Sequence, residues 1–434
     1  MPCLATLYRF RQRDGFCRRE LALLAARVRR ATAARRRTAS QVRVSPQFLV
    51  LFALLATSHI HTVEAQNSEQ NRRLDDRRID TEPFLVIGDE SSEEKRFERI
   101  AGVTRLASGE IVVLDGASQD LRVFSPKGDF LRRIGRRGAG PGELENATSL
   151  FRVLDSLFVV EQPPAQSRLN LFHAREGFRR RWPLRASNAF DGSGAVARLS
   201  SGDLLVVPAG FRPFVPPPFG TVVRDSTRIG ILHQGNPGEV KWIGVWPSAS
   251  WLSYALSSGP VRVAAARYSL GPALVVGSSA DGIWIGDSGD GIIHRYDGAG
   301  MHLGASTLPI GRRRFTKSAL SRRRVEALAA ASGSDEKARI EADHAIETKS
   351  RLAPAFSRFV PGPDREMWVV LFNEDTKSTT TAFVLDARGV AVATAVVPAR
   401  VRVYEVGRDY LVGVHTDDDG IESVVVYALG ANVR

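Results

Sequence analysis

Acidic residues recur in four short stretches of the 434-residue sequence, and their carboxylates are side chains that could bind a cation. The stretches are Asp115–Asp120, Asp287–Asp290, Asn373–Asp375 and Asp417–Gly420. Oxygen-rich sets of this kind suit Ca²⁺, or attract a cationic ligand through their summed field. The alternative is ordinary turn chemistry, since Asp and Gly are common hairpin residues. The candidate ligand-binding residues are Asp115, Asp287, Asp290, Asp375, Asp417, Asp419 and the adjacent histidine, His415.

No linear catalytic motif accompanies these residues. A glycine-rich phosphate loop, a paired-histidine helix motif and a Gly-x-Ser-x-Gly elbow are all missing from the sequence. Gly277–Asp281 comes nearest to the elbow, but Asp281 stands where the second glycine is needed. The only two cysteines, Cys3 and Cys17, lie near the amino terminus, so the remaining chain offers no thiolate. We therefore predict no catalytic residue and no cofactor, with Ca²⁺ as the one alternative.

The amino-terminal region has the segment order of a secretory signal. Twelve arginines and two acidic residues give residues 1–47 a net charge of +10, so residues 66–434 carry only +4 of the total of +13. An apolar run, Phe48–Thr57, follows, and Val63–Ala65 matches a small-residue cleavage pattern. The run is too short to span a bilayer. We expect cleavage near Ala65, a periplasmic or secreted location, no integral membrane segment afterwards and no nucleic-acid partner.

The acidic stretches belong to a repeated sequence unit that must position them. A shift of 172 residues places Glu110–Asp115 on Gly282–Asp287 and Leu121–Phe124 on Ile293–Tyr296. Looser copies bring the total to six, with starts near residues 109, 156, 202, 282, 365 and 408. The base period of about 45 residues is that of a four-stranded propeller blade. The acidic stretches then lie between second and third strands, on the face that also carries the blade-to-blade crossings.

The two ends of the repeats indicate how the ring closes. Phe84–Ile87 is an unassigned strand before the first unit, and the last unit ends too early to form a fourth strand. Pairing these two segments would remove an open sheet edge. We predict an all-β fold, a six-bladed β-propeller of four-stranded blades whose N-terminal strand closes the last blade. The propeller is expected to span residues 83–434. It follows a basic leader (1–47), a signal segment (48–65) and a flexible linker (66–82).

One segment also supports a family resemblance. Leu121–Glu143, which contains VFSPKGDFLRRIGRRGAGPGE, has a turn at Ser125–Gly128 and, after its second apolar alternation, a glycine-rich link from an outer strand to the next blade. It resembles the secreted six-bladed propeller proteins of bacteria related to NHL-repeat and TolB-like propellers, and the likeness extends from about residue 84 to 429. The resemblance implies the fold. It implies no chemistry, because proteins of this type mostly lack an assigned activity.

Two insertions interrupt the period. The first contains the aromatic and proline-rich loop Phe211–Phe219, which we expect to pack on its own blade, and three tryptophans expected in the core: Trp242, Trp246 and Trp251. The second, within 313–350, predicts two helices over about 317–331 and 335–349. Thr316 and Ser334 are their expected N-caps, and Gly333 separates them.

Two classes of function are compatible with these features, and a purely structural role is a third alternative. An exported, non-catalytic binding module would use the propeller face to hold a ligand, peptide, glycan or protein, and we expect a monomer. A metal-dependent hydrolase or lyase, similar to propeller lactonases, would need three or more Asp, Glu, Asn or His side chains converging near the axis. The missing catalytic motifs favour the binding module.

Overall fold

In the computed structural model of the protein, the described residues are 74–89, 92–162, 167–184, 193–208, 218, 220–233, 240–256, 263–268, 270–279, 282–311, 313–349, 352–375 and 377–430. Several predicted features lie outside them. These are the basic leader with both cysteines, the signal segment and its cleavage pattern, residues 66–73 of the linker, residues 211–217 and 219 of the aromatic loop, and Asp281.

The described residues form mainly short strands. The strands are β1 (Asp75–Asp76), β2 (Leu85–Ile87), β3 (Ile100–Arg105), β4 (Ile111–Asp115), β5 (Asp120–Phe124), β6 (Phe130–Ile134), β7 (Ala147–Val153), β8 (Ser156–Glu161), β9 (Arg168–His173), β10 (Gly177–Pro183), β11 (Ser193–Arg198), β12 (Leu204–Pro208), β13 (Val222–Leu232), β14 (Val240–Ala255), β15 (Val263–Arg267), β16 (Leu274–Ser279), β17 (Gly282–Asp287), β18 (Ile292–Asp297), β19 (His302–Thr307), β20 (Phe356–Pro361), β21 (Met367–Leu371), β22 (Thr380–Leu385), β23 (Ala391–Val397), β24 (Val401–Val406), β25 (Tyr410–Thr416) and β26 (Glu422–Ala428). The helices are α1 (Lys317–Ala330), α2 (Ser334–Glu347) and a 3₁₀ turn (Pro363–Arg365).

These strands form six sheets within the described part of the chain, which confirms the predicted number of blades. Blades 1, 2 and 4 are the four-stranded meanders β3–β6, β7–β10 and β16–β19. Blade 3 comprises β11–β15, blade 5 comprises β20–β23 with β1 at its outer edge, and blade 6 comprises β24–β26 with β2. The prediction of four strands in every blade is therefore wrong for blades 3 and 5, since each of those sheets carries a fifth strand.

The core lies between neighbouring blades and not in a single centre. A separate cluster of buried apolar residues joins each successive pair of blades, and a further cluster joins blade 6 to blade 1. In the last of these, Ile87, Ile100 and Val424 come from three different strands. Alternating side chains on both sheet faces are buried, so strands such as Ile111–Asp115 are buried along their whole length. The apolar contacts between blades therefore close the ring.

The amino-terminal strand closes blade 6 as predicted. Strand β2 pairs antiparallel with β26, with Val86 opposite Val425. Residues just before it, which the sequence assigns to a linker, also pair with the propeller. Strand β1 runs parallel to β23, and the Arg77 side chain lies 2.7 Å from Glu366. The amino-terminal segment therefore contacts two blades and leaves β26 without an open edge.

The two insertions differ in their secondary structure. The first extends blade 3 through the long hairpin β13–β14, and its three tryptophans are half-buried, with Trp246 packed edge-on against Tyr296 of blade 4. The second forms the two predicted helices, and Thr316 accepts a hydrogen bond from the Ala319 N–H at 3.1 Å. The N-cap predicted at Ser334 is wrong. Helix α2 begins one residue earlier than expected, so Gly333 occupies that position.

Neither α1 nor α2, the two described α-helices, has the length and apolar character of a membrane span.

Candidate functional site

One register position recurs at the top face, the face formed by the blade crossings and the loops between second and third strands. In each blade, the first residue of the innermost strand lies opposite a residue near the end of the second strand. We name that second-strand residue the rim position. Its six occupants are Asp115, Glu161, Pro208, Asp287, Leu371 and His415. Three of the sequence-predicted candidates, Asp115, Asp287 and His415, therefore occupy equivalent positions in different blades.

Asp115 is enclosed by its own blade. Its side chain is 1% exposed, and its Oδ1 accepts a hydrogen bond from the Ala117 N–H at 2.8 Å. The guanidinium of Arg122 lies 3.2 Å from Oδ2, and it also bonds Asp120 at 3.3 Å. Further donors of Arg122 reach backbone carbonyls in residues 93–96. Asp115 is thus one member of a buried, fully bonded charge cluster, which leaves little of its capacity for an external ligand.

Asp287 forms a comparable pair between two blades. Both of its oxygens accept from the guanidinium of Arg224, in strand β13 of blade 3, at 2.9 Å each. This bidentate arrangement is the strong form of a charge-assisted hydrogen bond. The other candidate of this loop, Asp290, is exposed and accepts from the Ile292 N–H at 2.8 Å. Asp287 therefore fixes the position of blade 3 against blade 4, and Asp290 shapes a turn.

Glu161 completes this group, although the sequence did not single it out. Its carboxylate is fully buried and accepts from the Glu145 N–H and the Asn170 side chain. Arg168 donates to it at 3.4 Å. The only signal in the sequence was its place at the end of the apolar repeat unit that begins at Ser156. Blades 1, 2 and 4 thus share a carboxylate at the rim position with an arginine partner.

The remaining candidates lie in the loops of blades 5 and 6. Asp375 accepts from the Lys377 N–H at 3.0 Å. Asp417 accepts from the N–H groups of Asp419 and Ile421 at 2.9 and 2.8 Å. Such bonds from an aspartate to a following backbone N–H are the usual geometry of Asx turns. Asp419 itself is exposed, and His415 is half-buried in strand β25.

The structure does not bring the predicted candidates together into one acidic site. Among the residues it describes, no three His, Cys, Asp or Glu side chains are close enough to hold a metal ion jointly. Most of the acidic groups instead have basic or backbone partners within their own loops. Asp417 lines the largest of the cavities found among the described residues.

A cavity of about 530 Å³ opens between blades 5 and 6 at the top face. Its walls come from the inner strands β20 and β24, the end of β21, the start of β22, the crossing between the two blades, and both adjacent loops. The apolar part of the wall consists of Val370, Leu371, Phe372, Pro398, Val401 and Val403. Its volume falls in the range of small-molecule sites, about 300–1,000 Å³. We refer to it as the blade 5–6 cavity.

Basic residues outnumber acidic ones around this cavity. Arg358, Lys377, Arg400 and Arg402 line it together with Asp417 and Asp418. Asp418 contacts both Arg400, at 2.6 Å, and Lys377, at 3.2 Å. These contacts lower the pKa of the Asp418 carboxyl, with the Arg400 hydrogen bond as the largest cause. The wall therefore keeps a net positive charge, the reverse of the acidic rim that the sequence predicts.

Arg402 pairs with Glu422 at 3.0 Å, so Arg358 is the lining cation without a carboxylate partner among the described residues. Its guanidinium donates to the Val403 carbonyl at 3.3 Å and lies 5.1 Å from the centre of the Tyr404 ring. Arg402 lies 5.2 Å from the same ring centre, so two arginines share one aromatic ring. No carboxylate of the described residues is within 4.0 Å of Arg358. Burial lowers the pKa of Arg358, and the nearby charge of Arg402 adds to that effect, although an arginine stays protonated in proteins.

These arginines were missed because they occur singly in apolar strands. Arg358 lies within Phe356–Pro361 and Arg402 within Val401–Val406, and neither belongs to a motif. The usable signal was a charged residue at an inner-strand position, where burial makes an unpaired charge costly. Such a residue needs either a partner or a ligand.

Comparison with protein families supports the fold. A family model described as a 6-bladed beta-propeller (DUF5128) matches residues 66–151. No curated protein matches the chain. The match covers the two amino-terminal edge strands β1 and β2, the first blade (β3–β6) and most of β7, the inner strand of blade 2.

Several solved structures are similar to the chain at low identity. A member of the duf4221 family from Bacteroides vulgatus is 11% identical over 83% of this chain and 100% of that chain, with a TM-score of 0.47. Regucalcin from Agrobacterium tumefaciens, described as a calcium-binding protein, is 11% identical over 83% of this chain and 98% of that one, with a TM-score of 0.39. Virginiamycin B lyase from Staphylococcus aureus is 11% identical over 76% of this chain and 94% of that one, with a TM-score of 0.37. Neither calcium binding nor lyase activity transfers to this chain at such similarity. With its six sheets and the matching family model, the chain is an all-β, six-bladed propeller.

Proposed function

We propose that the protein is a non-catalytic binding module whose ligand is a small organic anion held in the blade 5–6 cavity. The observation that supports this most directly is Arg358, which lines the cavity without a carboxylate partner among the described residues. A carboxylate or phosphate group on a ligand would supply that partner. The planar guanidinium suits such groups because it can donate two parallel hydrogen bonds.

The walls of the cavity narrow the ligand class further. Val370, Leu371 and Val401 give one side an apolar lining, while Ser378 and Thr380 place hydroxyl groups nearby. A ligand with an acidic group and an apolar or hydroxylated body would therefore be complementary to the site. An acidic sugar and the carboxyl-terminal end of a peptide both have this composition.

Matched acidic and neutral compounds test the proposal. The full-length protein would be titrated with N-acetylphenylalanine and its carboxamide, and with galacturonate and galactose, while its melting temperature is recorded. We expect the acidic member of at least one pair to raise the melting temperature, because only that member can pair with Arg358. Equal effects of the acidic and neutral members would contradict the proposal.

Two variants separate the site from general charge effects. In Arg358→Met the cavity keeps its volume and loses one cation, so the preference for the acidic compound should disappear. Arg408→Met removes an exposed arginine on the opposite face, where Arg408 pairs with Asp364, and should keep the preference. Loss of the preference in both variants would show that the acidic compound acts through overall charge.

The hydrolase or lyase alternative would need three convergent metal-ligating side chains. No observation on the described residues favours it.

We also propose export, supported by the order of basic, apolar and small residues before Gln66. Mass spectrometry of the protein recovered from the periplasm or medium would test this. The expected amino terminus is Gln66, and recovery of the intact leader would contradict it.

A further inference from the structure

Two histidines lie side by side on blade 4, away from the blade 5–6 cavity. His294 is in β18 and His302 is the first residue of β19, the outermost strand of that blade. The Nδ1 atom of His294 and the Nε2 atom of His302 are 3.4 Å apart. The centres of the two rings are 5.5 Å apart, with an angle of 46° between the ring planes.

A β-bulge creates this pairing. His294 lies opposite Ala305 and Arg295 opposite Gly304, but the register then shifts, so that Tyr296 lies opposite His302. In a regular ladder Tyr296 would face Leu303, and the side chain of His302 would point to the other face of the sheet. The extra residue places both histidines on the same face. Gly304, with a φ of 145°, allows the irregular backbone at this point.

The distance between the two nitrogens fits a shared metal ion better than a direct hydrogen bond. Hydrogen bonds from N–H groups to oxygen usually measure about 2.7–3.2 Å, so 3.4 Å between two ring nitrogens is at the long end for a hydrogen bond. Two imidazole nitrogens bound to one tetrahedral ion at about 2.0–2.1 Å are about 3.4 Å apart. We propose that His294 and His302 form a binding site for a borderline divalent transition-metal ion, such as Zn²⁺, Ni²⁺ or Cu²⁺.

The chemistry of the donors defines which ions the site accepts. Neutral imidazole is a good ligand for zinc, nickel and copper, whereas calcium and magnesium prefer oxygen ligands. No third His, Cys, Asp or Glu of the described residues joins the pair, so the remaining coordination positions are available to water. His302 is exposed, which gives an ion a path from solvent. The Tyr296 ring, 5.0 Å from the His302 ring, bounds the pair on one side.

A calorimetric titration of the untagged full-length protein tests this site. Because His59 and His61 near the amino terminus form a separate His-x-His pair, the double substitution H59A/H61A provides the background. We expect one Ni²⁺ per chain in that background, and no binding of Mg²⁺ under the same conditions. Since loss of a supporting partner alone lowers metal affinity by about 10–100-fold, His294→Ala and His302→Ala should each weaken Ni²⁺ binding at least about tenfold.

His173→Ala is the matched control. His173 ends strand β9 of blade 2, and its Nδ1 accepts from the Arg175 N–H at 3.3 Å. This variant should bind Ni²⁺ as the background does. Unchanged melting temperatures of the two blade 4 variants would show that they remain folded, which their surface position favours. Absence of Ni²⁺ binding, or binding that survives both blade 4 substitutions, would overturn the proposal. The outcome is independent of whether the blade 5–6 cavity binds an anion.

Discussion

Blades 1, 2 and 4 differ from blades 5 and 6 at one equivalent position of the top face. In the first group, the rim position is a carboxylate, and each carboxylate is bonded to an arginine of the third strand or of a neighbouring blade. In the second group, the rim position is Leu371 or His415, and the nearby arginines lie on the inner strands instead. The first arrangement fills the blade end with a paired charge. The second leaves a cavity with excess positive charge.

The difference shows how one backbone position can hold a paired charge or leave a cavity with excess positive charge. A buried carboxylate compensates its arginine and leaves no charge for an external group. Where the carboxylate is replaced by leucine, Arg358 on the adjacent strand keeps its charge without a carboxylate partner among the described residues. The same type of substitution, arginine to methionine, should therefore have opposite consequences in the two regions.

The largest effect on stability is expected for Arg122→Met. The side chains of Arg122 and Asp115 are 5% and 1% exposed, so removing the arginine leaves buried carboxylates without compensation. Breaking a buried pair in this way costs about 3–5 kcal/mol. The loss should be measurable as a lower free energy of unfolding in urea. Arg358→Met, by contrast, removes no ion pair among the described residues, so it should lower the free energy of unfolding far less than Arg122→Met and abolish the anion preference.

Arg133→Met is the control for that comparison. Its guanidinium also reaches Asp120, at 2.8 Å, but the arginine side chain is 41% exposed. We expect a loss of no more than about 1 kcal/mol. Similar losses in Arg122→Met and Arg133→Met would mean that burial of the pair does not determine its contribution.

A smaller loss of stability is expected when the ion pair between blades 3 and 4 is removed. Arg224→Met removes both bonds to Asp287, and the two side chains are 24% and 12% exposed. Hydrogen bonds to charged groups contribute about 1.5–3 kcal/mol, which sets the expected loss in a thermal or urea unfolding experiment. Arg228→Met, on the same strand, removes only a stacking contact 5.8 Å from the Trp242 ring centre and should cost less. An equal loss in both variants would assign the effect to strand β13 in general.

These pairs mark the limit of prediction from the sequence. The six blades, the closing strand Phe84–Ile87 and the two helices follow from local patterns, namely alternating apolar residues, turn residues and caps. The partners of the acidic residues do not follow from such local patterns. Asp287 and Arg224 are separated by 63 positions and meet only because two neighbouring blades pack together.

The cavity and the histidine pair were missed for related reasons. Arg358 and Arg402 approach one tyrosine ring from different blades. Their spacing along the chain therefore does not indicate that they lie close together. His294 and His302 lie in β18 and β19, the two outer strands of blade 4. Their contact depends on a one-residue bulge, which strand periodicity does not predict.

Two carboxyl groups on α2, Glu347 and Glu341, should make the stability depend on pH in opposite directions. Glu347 on α2 has a 4% exposed side chain facing Tyr268, Asp343 and His344, and burial raises its pKa while Arg323 opposes that effect. Because the folded pKa is above that of the unfolded chain, about 4.3, the native state binds this proton more tightly. Its contribution to stability is present at low pH and is lost as the pH rises through the folded pKa. Glu347→Gln should therefore gain stability relative to wild type between about pH 4 and pH 7.

Glu341→Gln on the same helix provides the reverse case. The hydrogen bond from Arg324 lowers the pKa of Glu341, so its contribution is present at neutral pH and is lost as the pH falls through the folded pKa. This variant should be less stable than wild type at neutral pH, and the difference should shrink on acidification. Urea unfolding of both variants from pH 3 to pH 7.5 would measure the two slopes. Slopes of the same sign would contradict the assignment of buried and paired carboxyls.

The smallest effect on the free energy of unfolding is expected at the exposed loop of blade 6, where the sequence suggested a Ca²⁺ site. The Asp419 side chain is exposed, and we expect Asp419→Ala to change the free energy of unfolding by less than about 0.5 kcal/mol. Asp417→Ala removes two bonds to backbone N–H groups and should cost somewhat more. Since Asp418, between these two residues, pairs with Arg400 and Lys377, Ca²⁺ would have to compete with fixed cations, and it should leave the melting temperature unchanged. A Ca²⁺-dependent rise that either substitution abolishes would instead support a calcium site, and the positive character of the blade 5–6 cavity would then have to be revised.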